Sequence, residues 1–109
     1  IRGGENISCI EVEAAIYAHP DIQEAAVFGL PDERLGEIVG AAVVLREGAE
    51  LDQGALRHYL EDHLAAFKIP KHVWFRSDAL PRIASGKIFK RQLKKHYTEE
   101  MNAAAEANE

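Results

Sequence analysis

Residues 38–46 read IVGAAVVLR, and no other stretch constrains the fold as strongly. The run is apolar and rich in β-branched side chains, whose stiff χ1 torsions suit a strand better than a helix. It predicts a buried strand, and the rest of the chain has to cover it. The preceding segment, IQEAAVFGL (22–30), reads as a second strand, closed by PDERLGE, a loop bearing proline and glycine. Ser8 and Glu11 have capping-box spacing and open a helix from about Cys9 to His19, with Ile10, Val12, Ala15 and Ile16 at roughly helical intervals. Pro20 ends it by disfavouring helical geometry in His19. EGAE (47–50) turns the chain, and Asp52 caps a second helix running to about Leu64. HVWFRS (72–77) is a short strand, ALPRIASGK (79–87) a loop, and IFKRQLKKHY (88–97) a last helix that the tail either extends or frays. The order α-β-β-α-β-α gives a single compact α+β domain, a small mixed sheet flanked by helices, over residues 1–109.

A chain of 109 residues is long enough to bury a core of its own. The lone cysteine, Cys9, rules out an internal disulfide and fits a reducing compartment. There is no apolar run near 18 residues and no signal-peptide pattern, so a cytoplasmic location and no transmembrane segment are expected. The chain opens on IRGGENIS without an initiator Met, which reads as a piece of a longer polypeptide.

Charge is distributed unevenly. Residues 1–65 hold 4 Lys/Arg against 13 Asp/Glu, whereas residues 66–96 hold 9 Lys/Arg against one acid, Asp78. A basic segment in an acidic chain predicts a local anionic partner, or else a solvated face. Nucleic acid does not fit, because the domain as a whole is acidic. Within the basic segment, Lys87 follows a Ser85-Gly86 turn and precedes the expected last helix. A helix start is the positive end of the macrodipole and prefers acids, so a lysine there is placed for an anion that arrives from elsewhere. The loop is not a phosphate-binding P-loop: Pro81 stands at the position of its first glycine, and Ile88 replaces the Ser/Thr. Gly3-Gly4 allows close approach to a ligand, or is an ordinary turn. The five histidines lack metal-ligand spacing, so no metal site is expected in this chain. Cys9 and the aromatic residues Phe67, Trp74 and Phe75 read as structural.

Two stretches, RGGENISCIEVEAAIYAHPDIQEAAVFGLPDERLGEIVGAAVVL (2–45) and LAAFKIPKHVWFRSDALPRIASGKIFKR (64–91), resemble the C-terminal domain of the adenylate-forming superfamily. That superfamily comprises acyl-CoA synthetases, nonribosomal peptide synthetase adenylation domains and firefly luciferase. The similarity runs over roughly residues 1–95 and is strongest to bacterial fatty-acid CoA ligases; Cys9 stands where that branch usually has proline.

The resemblance implies an AMP-forming acid–CoA ligase that runs two half-reactions. A carboxylic (fatty) acid attacks the α-phosphate of ATP to give acyl-AMP, and the thiol of coenzyme A then displaces AMP. It implies a large N-terminal domain, not in this chain, that binds ATP, Mg2+ and the acid. The small C-terminal domain rotates between one pose per half-reaction about a hinge upstream of Ile1. Lys87 matches the adenylation lysine. Gly3 and Gly4 match the loop lining the pantetheine tunnel, Asn6 a position contacting the adenylate, and Lys68 and Arg82 are candidate contacts for coenzyme A phosphates. The isolated domain is expected to be inactive. An amino-acid or aryl-acid adenylation enzyme is the alternative within the superfamily, and a stand-alone module binding through its basic helix is the alternative outside it.

Overall fold

The computed structural model describes residues 8–34 and 36–107. The expectations for Gly3, Gly4 and Asn6 lie outside the described residues. The element order is the expected one: α1 (Cys9–Tyr17), β1 (Ile22–Asp32), β2 (Gly36–Leu45), α2 (Gln53–Leu60), a 3-10 turn at Ala66–Lys68, β3 (His72–Arg76) and α3 (Lys90–Ala107). Both predicted N-caps are in place. The Ser8 hydroxyl accepts from Glu11 N at 3.2 Å, and the Asp52 carboxylate accepts from Ala55 N at 2.7 Å.

β2, the strand containing IVGAAVVL, is the centre of a three-stranded sheet in the order β1-β2-β3. It runs antiparallel to β1 and parallel to β3. Its burial on both faces follows from the layers around it. Val39, Ala41 and Val43 face Val12 and Ile16 of α1 and Leu56 and Leu60 of α2. Ile38, Ala42 and Val44 face Leu93 and Tyr97 of α3. Covering both faces removes the apolar–polar alternation of a one-sided strand, which is why β2 reads as a continuous apolar run.

Besides α1 ending at Tyr17 rather than His19, the structure departs from the sequence expectations in three places. The strands extend into PDERLGE, pairing Pro31 with Glu37 and Asp32 with Gly36. Proline is tolerated there because β1 is an edge strand. α2 stops at Leu60 rather than Leu64, after which His63 N donates to Leu60 O at 2.9 Å and the chain tightens into short turns. α3 starts at Lys90 rather than Ile88 and continues through the alanine-rich tail to Ala107. Its start is delayed because Ile88 is held in an antiparallel bridge to Arg82, and Phe89 N donates to Pro81 O at 2.8 Å.

The free edge of β1 is closed by α1. Tyr17 Oη accepts from Ala25 N at 2.9 Å, and Glu13 Oε1 accepts from Val27 N at 2.9 Å. Glu13 also pairs with Lys90 at 2.5 Å, placing a carboxylate beside the first residue of α3. Among the described residues, no helix is long and apolar enough to cross a membrane.

Candidate active site

Lys87 lies three residues ahead of α3, not immediately before it as the sequence pattern predicts. The backbone around it makes a small hairpin. Arg82 and Ile88 form its base, Ile83 N donates to Lys87 O at 2.9 Å, and Gly86 N donates to Ile83 O at 2.9 Å. The turn closes at Gly86, whose φ of +93° is a conformation that side chains with a Cβ rarely adopt. Both ends of the hairpin are held by the core on the α3 face of the sheet: Leu80, 3% exposed, belongs to that core, and Ile88 packs against it.

The Lys87 side chain is exposed and makes no ion pair among the described residues. Five other cations of the basic segment are matched by acids, whereas Lys71, Arg91 and Lys95 are exposed and, like Lys87, make no ion pair among the described residues. Lys68 pairs with Glu11 at 2.9 Å, Arg76 with Asp78 at 3.3 Å, Lys90 with Glu13, Lys94 with Glu37 at 3.4 Å, and Arg82 with Glu24. Four of these five acids come from the acidic first half of the chain. Part of the charge asymmetry is therefore settled inside the fold, and Lys87 is among the cations left facing solvent. A nearby cleft of about 220 Å3 is lined by Arg76, Pro81, Gln92, Leu93, Lys95, His96 and Glu99. An exposed lysine on a pinned hairpin can neutralise an anion brought to it.

Residues 11–87 match the family described as "AMP-binding enzyme C-terminal domain". The chain belongs to that family. It is 45% identical over 103 residues to "Probable CoA ligase CCL9" of Humulus lupulus, covering 94% of this chain and 19% of that protein. It is 46% identical over 98 residues to "Oxalate--CoA ligase" of Arabidopsis thaliana, covering 90% of this chain and 19% of that protein. Among solved structures it resembles "Mycobacterium tuberculosis fatty acyl CoA synthetase", with a TM-score of 0.83 at 41% identity over 92% of this chain and 20% of that one. The chain thus spans about a fifth of the length of the relatives it matches.

Within this AMP-binding C-terminal domain, the site residues expected from sequence do not all converge. Arg82 shares the hairpin with Lys87. Lys68 sits at the end of the 3-10 turn and reaches α1, where its ammonium donates to both Glu11 oxygens at 2.9 and 3.2 Å. Cys9 is half-buried at the start of α1, and burial pushes its thiol above the ordinary value, so it stays protonated. No three His, Cys, Asp or Glu side chains among the described residues form a group able to hold a metal ion.

Sequence reasoning missed Glu24. A β-bulge between Ile22 and Glu24 shifts the register of β1. Ile22, Ala25 and Val27 therefore face α1 and α2, while Glu24 is aimed, with Ala26 and Phe28, at the α3 face. There its carboxylate, 12% exposed, accepts from Leu80 N at 3.1 Å and pairs with Arg82. The signal in the sequence was the broken alternation: Ile22 and Ala25 both need the same face, and an odd spacing between them requires an extra residue.

Proposed function

We propose that this chain is the C-terminal domain of an AMP-forming acid–CoA ligase and that Lys87 is its adenylation lysine. The observation that carries the reading is the geometry of Lys87: an exposed, unpaired ammonium on a hairpin whose ends are anchored in the core. In the first half-reaction a carboxylate oxygen attacks the α-phosphate of ATP and pyrophosphate leaves. Two anions must approach, and an ammonium between them offsets their repulsion. At about 4 Å and an effective dielectric near 20, one such pair is worth roughly 4 kcal/mol, or about three decades in rate. In the second half-reaction the thiol sulfur of coenzyme A attacks the acyl carbonyl and AMP leaves. Lys87 has no part in that step, and the turned domain instead presents Gly3 and Gly4 to the pantetheine arm and Asn6 to the adenylate.

An N-terminal domain would bring ATP, the acid and Mg2+, the metal serving to neutralise phosphate charge. A fatty acid is the substrate class we favour, supported by the likeness to a fatty acyl CoA synthetase. The acid pocket would belong to the N-terminal domain, and a relative named for oxalate carries a domain just as similar. Lys68 and Arg82 would reach coenzyme A phosphates only by giving up their pairs with Glu11 and Glu24.

The test separates the two half-reactions in the full-length enzyme. Lys87→Ala is expected to slow adenylation by roughly three decades and to leave the reaction of supplied acyl-AMP with coenzyme A nearly intact. Gly4→Leu, which blocks a thin tunnel, is expected to do the reverse. Single-turnover kinetics of each step reads both outcomes. Wild-type adenylation without the Lys87 side chain would overturn the assignment.

A further inference from the structure

Arg82 spans the hairpin that carries Lys87. Its Nη1 donates to Gly86 O at 2.7 Å, and its Nη2 donates to Glu24. Glu24 in turn accepts from Leu80 N at 3.1 Å. One carboxylate on β1 thus holds the entry strand of the hairpin through the Leu80 amide and the closing turn through the guanidinium. The residue so held, Gly86, immediately precedes Lys87 and has a positive φ. The planar fork of Arg82 suits this bridging role, because it presents two donors in fixed directions to two acceptors.

We propose that Glu24 and Arg82 are positioning residues for Lys87, forming a clamp that fixes the hairpin on the sheet so that the ammonium is held in place before substrate arrives; this rests on the role proposed above for Lys87. The clamp supplies orientation rather than charge. Arg82 is neutralised by Glu24, and without the pair the hairpin keeps its own short-range hydrogen bonds and the core packing of Leu80 and Ile88 at its ends, but nothing that ties its closing turn to the sheet. A misplacement of about 1 Å at a reacting centre costs on the order of a hundredfold in rate, so a loosened hairpin is read directly in the adenylation step.

The experiment uses the full-length enzyme and the variants Arg82→Ala, Arg82→Lys, Glu24→Gln, Lys87→Ala and Arg82→Ala/Lys87→Ala. Arg82→Ala and Glu24→Gln are each expected to slow adenylation at least tenfold, with the KM for coenzyme A unchanged. Hydrogen exchange at the Ile83 and Gly86 amides is expected to quicken, while exchange in β2 stays as it was. Arg82→Lys, which keeps the pair to Glu24 but not the fork, is expected to recover part of the rate. In the Lys87→Ala background, loss of Arg82 is expected to cost nothing further, since it acts only through the lysine. Wild-type adenylation in Arg82→Ala, alongside a slow Lys87→Ala, would overturn the clamp and leave the catalytic assignment standing. A raised KM for coenzyme A with intact adenylation would make Arg82 a phosphate contact instead. An active Lys87→Ala would overturn both, whatever the exchange rates show.

Discussion

Gly86 is where backbone geometry and proposed chemistry meet. A Cβ added there would find no heavy atom within 4 Å, but φ stands at +93°. Gly86→Ala therefore carries no steric clash, only the backbone strain of a left-handed conformation, about 1–2 kcal/mol. The hairpin can relax instead of the core, so we expect global stability by chemical denaturation to fall by no more than that amount. Adenylation in the full-length enzyme should fall at least tenfold, about 1.4 kcal/mol per decade, because the turn next to Lys87 opens. Unchanged adenylation would show that the turn geometry does not matter to the lysine. At this scale the turn at Ser85-Gly86 was legible in the sequence, since an SGK turn in a basic segment stands out by composition. Glu24 was illegible for a physical reason: its partners are 56 and 58 residues away, and its direction depends on a bulge rather than on period-two alternation.

At the level of elements, the strands and the capped helix starts were readable because each is specified locally, by β-branched runs and by Ser8 and Asp52. The ends that slipped were set by distant contacts. Ile88 is pulled from helix into bridge by Arg82, and the hairpin of β1 and β2 consumes the loop drawn between them because both strands are long enough to keep pairing. The closure of the β1 edge by α1 was also beyond local pattern. Glu13 accepts from Val27 N and pairs with Lys90, so it ties α1, β1 and α3 together. Glu13→Ala should cost about 1–3 kcal/mol, the penalty for leaving a half-buried donor unsatisfied. It should also raise self-association, because an unpaired strand edge recruits other chains. Urea denaturation and light scattering at increasing protein concentration check the two effects. A variant as stable and monodisperse as the parent would mean that water replaces the carboxylate without loss.

For the whole molecule, two apolar clusters on opposite faces of one sheet give the described residues a complete core, while the proposed catalytic group lies on the outside. The 109-residue chain is therefore expected to fold by itself and to make no acyl-AMP when supplied with ATP, Mg2+, a panel of acids and coenzyme A. Turnover by the isolated chain would contradict a division of labour between two domains. Anchoring the hairpin to the sheet has a mechanical consequence. If Lys87 cannot move independently, it is the tip of a rigid arm, and its position is fixed by the angle of the whole domain. The molecule measures 37 × 31 × 30 Å, so the arm is on the order of 15 Å, half its shortest extent. Over that length a tilt of about 4° carries the tip about 1 Å, a displacement that costs roughly a hundredfold in rate. In the two-domain enzyme proposed above, angular play at the joint would then limit the first half-reaction, and stiffness inside this small domain would transmit it faithfully.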